Sequence, residues 1–158
     1  MSASGPHGAA WLFVDTSALV KLYVRESGTE SMVAAARSAS WAVGILSIAR
    51  VELASALQRR CAKGDLDADR ACAIRARLER HAARRYHVVH VTDEVIERAV
   101  ALVERHQLRA YDAMQLAGAL ALPASPAAVR FACADVALLR AATSEKLDAW
   151  NPAASTDD

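Results

Sequence analysis

The sequence predicts an α/β fold, a three-layer α/β/α sandwich around a central, mainly parallel sheet of four to five strands. Two observations point there. Short apolar runs bounded by polar or turn residues (Trp11 to Val14, Trp41 to Leu46, Val88 to Val91 and Ala128 to Ala132) alternate with segments whose apolar residues recur at helical spacing. The segment from Ala113 to Ala121 is almost wholly apolar, so it belongs in the interior, where its small residues let it lie close against a sheet. Strands separated by helices require right-handed crossovers, which leave the sheet parallel and covered on both faces.

Composition sets the outer limits. A chain of 158 residues, 54% hydrophobic and 23% charged, is one domain with room for a sizeable core. The three cysteines, Cys61, Cys72 and Cys133, form no CxxC pair and are odd in number, which supports neither a disulfide framework nor a zinc site and fits a reducing cytoplasm. Residues 1–10 lack the basic and apolar regions of an export signal, and the longest apolar stretch, around Leu116 to Leu122, is far short of the about 20 residues that span a bilayer. A cytoplasmic protein without a membrane anchor is therefore expected.

In chain order, residues 1–10 read as a loose leader and Trp11 to Val14 as the first strand. A short helix from Ser17 to about Arg25 is broken at Glu26 to Thr29, and a second runs from about Glu30 to Ser38. After the strand Trp41 to Leu46, Ser47 is expected to cap a long helix that Gly64 ends. A basic helix from Asp65 to Arg85 precedes the third strand, and Thr92 or Asp93 caps the helix that runs to about His106. The apolar helix starts near Arg109, Asp135 opens the helix after the fourth strand, and Leu147 to Pro152 adds an edge strand. Residues 153–158 read as a frayed acidic tail.

Four carboxylates then stand out. Asp15 follows the first strand, Glu52 lies one turn into the helix after the second, and Asp135 follows the fourth. Asp112 sits in the first turn of the helix that buries all its faces, where an unpaired carboxylate is costly and a helix dipole offsets only about 1 to 2 kcal/mol. Open α/β sheets bind ligands at the carboxyl ends of their strands, and an all-oxygen cluster there suits Mg²⁺ or Mn²⁺. Taken singly, Asp15 and Asp135 read as helix caps, and the histidines show no ligand spacing.

The segments Val-Asp-Thr-Ser-Ala-Leu (14 to 19), Val-Glu-Leu-Ala-Ser-Ala-Leu (51 to 57), Leu-Arg-Ala-Tyr-Asp-Ala-Met-Gln-Leu-Ala (108 to 117) and Cys-Ala-Asp-Val-Ala-Leu-Leu-Arg-Ala-Ala (133 to 142) together resemble PIN-domain nucleases, specifically the VapC-type toxins of bacterial toxin–antitoxin pairs. The resemblance covers about Leu12 to Pro152 and implies a PIN-like nuclease domain over residues 11–152. It further implies metal binding by Asp15, Glu52, Asp112 and Asp135, Mg²⁺-dependent endoribonuclease activity on RNA, and a homodimer held by a cognate antitoxin. One departure is Cys133, where the family commonly has Thr or Ser two residues before the last Asp.

The chemistry agrees with these residue types. Phosphodiester hydrolysis needs a nucleophilic hydroxide and neutralisation of phosphate charge, both within reach of a carboxylate-held Mg²⁺. Asp15 and Asp112 are expected as primary ligands, Glu52 as a ligand or water-orienting group, and Asp135 in an outer or second-metal role, with Thr16 or Ser17 positioning water or substrate. Net charge is +1, yet residues 59–85 hold nine Lys or Arg against four acids. Arg70, Arg75, Arg77, Arg80, Arg84 and Arg85 are therefore candidate phosphate contacts, beside the simpler reading of a solvated face. Two alternatives are a catalytically silent RNA- or protein-binding domain and a phosphatase with Asp15 as nucleophile. The phosphatase pattern wants a second Asp where this chain has Ser17.

Overall fold

In the computed structural model, which describes residues 10–154, the apolar runs form five parallel strands: β1 (Ala10–Val14), β2 (Trp41–Leu46), β3 (His87–Val89), β4 (Val129–Ala132) and β5 (Asp148–Trp150). Their order is β3-β2-β1-β4-β5. Register runs from Leu12 opposite Val43 on one side of β1 to Leu12 opposite Arg130 on the other. The chain thus moves from β1 outward through β2 to β3, then returns to the far side of β1 for β4 and β5. Crossovers of a single hand put the helices of these opposite moves on opposite faces.

On one face lie α1 (Thr16–Leu19), α2 (Thr29–Arg37), α3 (Ala49–Ala62) and α4 (Ala68–Arg84); on the other lie α5 (Asp93–His106), α6 (Ala110–Leu120) and α7 (Val136–Ser144). Side chains alternate along β1 accordingly. Leu12 and Val14 join Leu53, Leu57 and Leu78 in the first core, while Trp11 and Phe13 join Leu102, Leu116 and Leu138 in the second. Phe13 stacks on Phe131 of β4 with ring centroids 5.8 Å apart. The predicted three-layer sandwich is this arrangement.

Helix α6 confirms the reading of its small residues. A Cβ on Gly118 would meet Leu46 Cδ1 at 2.8 Å and Phe13 Cζ at 3.1 Å, so glycine sets how near α6 lies to β1 and β2. Gly28, at φ 85°, has a different duty: it caps α2 in the left-handed region and lets the backbone of Pro152 and Ala153 approach to 2.7–2.8 Å of where a Cβ would be.

Several element ends differ from the expectations. The helix after β1 is α helical only to Leu19 and tightens to a 3₁₀ turn over Val20–Leu22. Ser47 does not cap α3: Ile48 is the N-cap residue without a side-chain bond, and the Ser47 backbone N–H donates to Val89 O at 2.8 Å, extending the β2–β3 ladder. The basic helix begins at Ala68 because Asp67 caps it, its Oδ1 accepting from Arg70 N at 2.7 Å. Thr92 caps α5 as expected. The first strand already includes Ala10; the rest of the expected leader, residues 1–9, and the tail from 155 lie outside the described residues.

Candidate active site at the carboxyl edge of the sheet

The sheet reverses direction of travel between β1 and β4, and at such a switch point the carboxyl ends of two neighbouring strands leave a crevice. Asp15 ends β1 and Asp135 follows β4, one on each side of it. The ends of the two strands are joined here, since Asp15 N donates to Ala132 O at 3.0 Å. Asp112 enters from the first turn of α6 and Glu52 from the first turn of α3.

Asp15 is buried, and its Oδ2 accepts from Ser17 N at 3.1 Å and from Ser17 Oγ at 2.6 Å. Ser17 Oγ also accepts from Ala134 N at 3.0 Å, tying the end of β1 to the turn after β4. Thr16 Oγ1 donates to Glu52 Oε2 at 2.6 Å. Gln115, one turn along α6 from Asp112, donates through Nε2 to the same Glu52 oxygen at 2.6 Å and to Thr16 Oγ1 at 3.0 Å. Thr16 and Ser17 thus hold carboxylates, each its own. Asp135 caps α7, its Oδ1 accepting from Leu138 N at 2.9 Å.

The acids lie near enough for their charges to act on one another. Burial raises the Asp15 carboxyl above its ordinary range, against the hydrogen bonds of Ser17 that pull it back. Burial likewise raises Glu52; Thr16 and Gln115 lower it, while the charges of Asp15 and Asp112 add to the rise. Asp112 is raised by burial and then by Asp15 and Asp135, with Arg109 a partial offset. Like charges brought together in a half-buried crevice disfavour joint ionisation.

A bound cation removes that conflict, and the donor set fits a hard one. Glu52 Oε1 and Asp135 Oδ2 take no hydrogen bond among the described residues, and Gln115 Oε1 is buried without a partner. As the side chains stand, no three His, Cys, Asp or Glu groups among the described residues are gathered around one point. Asp15, Glu52 and Asp135 are each turned toward their own hydrogen-bond partners, while the Asp112 carboxylate accepts no hydrogen bond among the described residues.

Cys133, the departure noted above, is wholly buried beneath this cluster. Its Sγ accepts from Asp135 N at 3.2 Å and lies 3.8 Å from Ser17 Oγ. Burial, with the nearby Asp15 charge, pushes the thiol up to about 12, so it is a neutral acceptor in the turn and not a nucleophile. The arginines singled out on α4 lie elsewhere: Arg75, Arg80 and Arg84 are exposed and line neither groove at the acids. The basic residues that do line them are Arg59 and Arg60 of α3, with Lys21 and Lys63. Gln115, Tyr111 and Arg59 were not singled out from the sequence. An amide in a helical run gives no spacing cue, and one Arg among 16 does not distinguish itself.

The chain is thus a parallel α/β domain with four acids near its switch point. The PIN domain family matches residues 12–125, so the chain belongs to that family. A comparison with curated proteins finds no match. Among solved structures, the chain is similar to FitAcB from Neisseria gonorrhoeae (16% identity, TM-score 0.60, 89% of this chain and 97% of that one). It is also similar to VapBC2 from Rickettsia felis bound to a DNA fragment from their promoter (14% identity, TM-score 0.59, 89% and 98%). A third is VapBC-1 from nontypeable Haemophilus influenzae (13% identity, TM-score 0.59, 90% and 98%).

Proposed function

We propose that the protein is a metal-dependent endoribonuclease, the toxin of a toxin–antitoxin pair, and that Asp15, Glu52, Asp112 and Asp135 hold its metal. The observation that carries this is the crowding of Asp15, Glu52 and Asp112 near the switch point: burial raises all three, and the charges of neighbouring acids raise Glu52 and Asp112 further. A silent scaffold gains nothing from such an arrangement, because buried like charges cost stability. Bound Mg²⁺ or Mn²⁺ supplies a water acidified enough to attack phosphorus and a positive charge for the phosphoryl oxygen.

The chain's own residues then have separable tasks. Asp15, just after β1, and Asp112, on α6, would be the main ligands. Glu52 is fixed by Thr16 and Gln115 through Oε2, which leaves Oε1 to take an ion or to accept a proton from water. Such outer partners set carboxylate orientation and basicity. Asp135 caps α7 with one oxygen and offers the other to the site. Ser17 keeps Asp15 in place and joins the two strand ends.

The toxin assignment rests on the sequence resemblance and on the neighbours, whose names describe complexes of the VapBC and FitAB kind. A protein antitoxin and a homodimer are the partners it implies. Expression of the wild-type chain should arrest bacterial growth and Asp112→Asn should not. A co-expressed small protein encoded immediately upstream should relieve the arrest and co-purify. Growth arrest equal for both variants would remove catalysis from the reading.

A further inference from the structure

Glu52, with Thr16 and Ser17, borders a groove of about 650 Å³ that is otherwise lined largely by apolar side chains, and the proposed metal site leaves these unexplained. Val51 is 71% exposed and Tyr111 65% exposed, each immediately preceding an acid of the site, Glu52 and Asp112. Neither belongs to the core. Beyond Ser17, Val20, Ala56 and Arg59 the groove continues into a second of about 480 Å³, where four basic residues face two acids. Two of the four are spoken for: Lys21 pairs with Glu26 at 2.8 Å, and Arg60 pairs with the same carboxylate. Arg59 makes no ion pair among the described residues, its guanidinium donating only to Ser55 Oγ at 2.7 Å.

We infer that, in this groove, Tyr111 with Val51 is a stacking platform for one base of the RNA and that Arg59 pairs with a neighbouring phosphate. The inference rests on the ribonuclease reading and names residues that contact its substrate. A planar ring, an apolar wall and a guanidinium free of any ion pair among the described residues line one groove. Together they suit the alternation of base and phosphate in a nucleic-acid strand. Aromatic platforms stack bases of any identity, and guanidinium matches phosphate geometry. Stacking on a side chain needs a splayed base, which loops and single strands provide and a continuous A-form helix does not. A peptide would also cover Val51 and Tyr111, but the unpaired Arg59 so near the site favours a polyanion.

The test uses purified full chain carrying Asp112→Asn, in EDTA, so that nothing is cleaved. Short single-stranded RNAs, each with 2-aminopurine at one position, report stacking as fluorescence quenching. Quenching is expected at a restricted position. Tyr111→Ala should abolish it and weaken binding about tenfold or more, while Tyr111→Phe keeps both. Arg59→Gln should weaken binding and reduce the salt slope by about 0.7 for one lost single-strand phosphate contact. Equal binding of a blunt duplex, or unchanged affinity and quenching in Tyr111→Ala, would overturn the subsite and leave the wall to a protein partner. The two readings fail separately. Wild type that cleaves with metal regardless of Tyr111 refutes the subsite alone. Position-specific quenching without any cleavage keeps the subsite and refutes the ribonuclease.

Discussion

Asp15 is where folding and proposed function pull in opposite directions. Its carboxyl is raised by burial, so the folded chain holds its proton more tightly than the unfolded chain. The stability this proton confers is present below the ordinary value of 3.8 and is lost as pH rises through the higher folded value. Glu52 and Asp112 act in the same direction. Metal-free Asp15→Asn should therefore melt no earlier than wild type at pH 7, and its advantage should vanish at low pH, while metal-dependent cleavage is lost. Melting curves in EDTA across pH, beside an RNA cleavage assay, give both readouts. An earlier-melting variant that still cleaves RNA would identify Asp15 as scaffold. Gln115 makes a second prediction. Gln115→Met keeps the volume but removes the donor to Glu52 and Thr16, and outer-shell losses of this kind cost about 10- to 100-fold in activity or metal affinity. Cleavage titrated with Mg²⁺ should show that loss, with the melting temperature nearly unchanged because an orphaned buried carbonyl leaves as well.

Among the elements, α6 does the most to build the site, since it carries Asp112 and Gln115 and is pressed against β1 and β2 at Gly118. Gly118→Val should destabilise the fold by about 1 to 3 kcal/mol, the usual cost of overpacking, as denaturant unfolding would show. A stability equal to wild type would mean that α6 can lift off the sheet. Helix α4 poses a different question. Its arginines are exposed and away from the acids, so Arg75, Arg80 and Arg84 can contact RNA only along an extended track over α3. Replacing the three by Gln should flatten the salt dependence of RNA binding if they do, and change nothing if they form a solvated face. The apolar periods of α5 and α6 and the alternation of strands with helices made the sandwich readable from sequence, because burial imposes those periods. Ser47 was misread for a physical reason: its residue type suits a cap, but its backbone N–H is needed by the β2–β3 ladder. That the four acids lie near the carboxyl edge of the sheet was readable from their positions just after strands or in the first turn of a helix. Gln115 and Arg59 were not, since their roles arise only when α3, α6 and the loop after β1 meet.

The whole molecule carries opposing electrostatic loads at its two ends. Away from the site, Glu145 joins the end of α7 to α5 through Arg105 and His106 Nε2, the latter at 2.7 Å. Burial acts to raise Glu145, but these hydrogen bonds prevail and hold it below its ordinary 4.5. Its contribution is therefore present above that value and lost as pH falls through the lower folded value. Glu145→Gln should make unfolding less sensitive to acid below about pH 4.5 and lower stability at neutral pH, measurable by thermal melts at a series of pH values. At the end that carries the acids the charge conflict grows with pH, so on the proposed reading Mg²⁺ or Mn²⁺ should raise the melting temperature more at pH 8 than at pH 5. No such ion-dependent gain should remain in Asp112→Asn. The most direct measurement is cleavage of a single-stranded RNA by the purified chain before and after exhaustive chelation, with Asp112→Asn alongside. Cleavage that stops in EDTA, returns with Mg²⁺ or Mn²⁺ and never occurs in the variant is the predicted result; undiminished cleavage by chelated protein, or by Asp112→Asn, would contradict it.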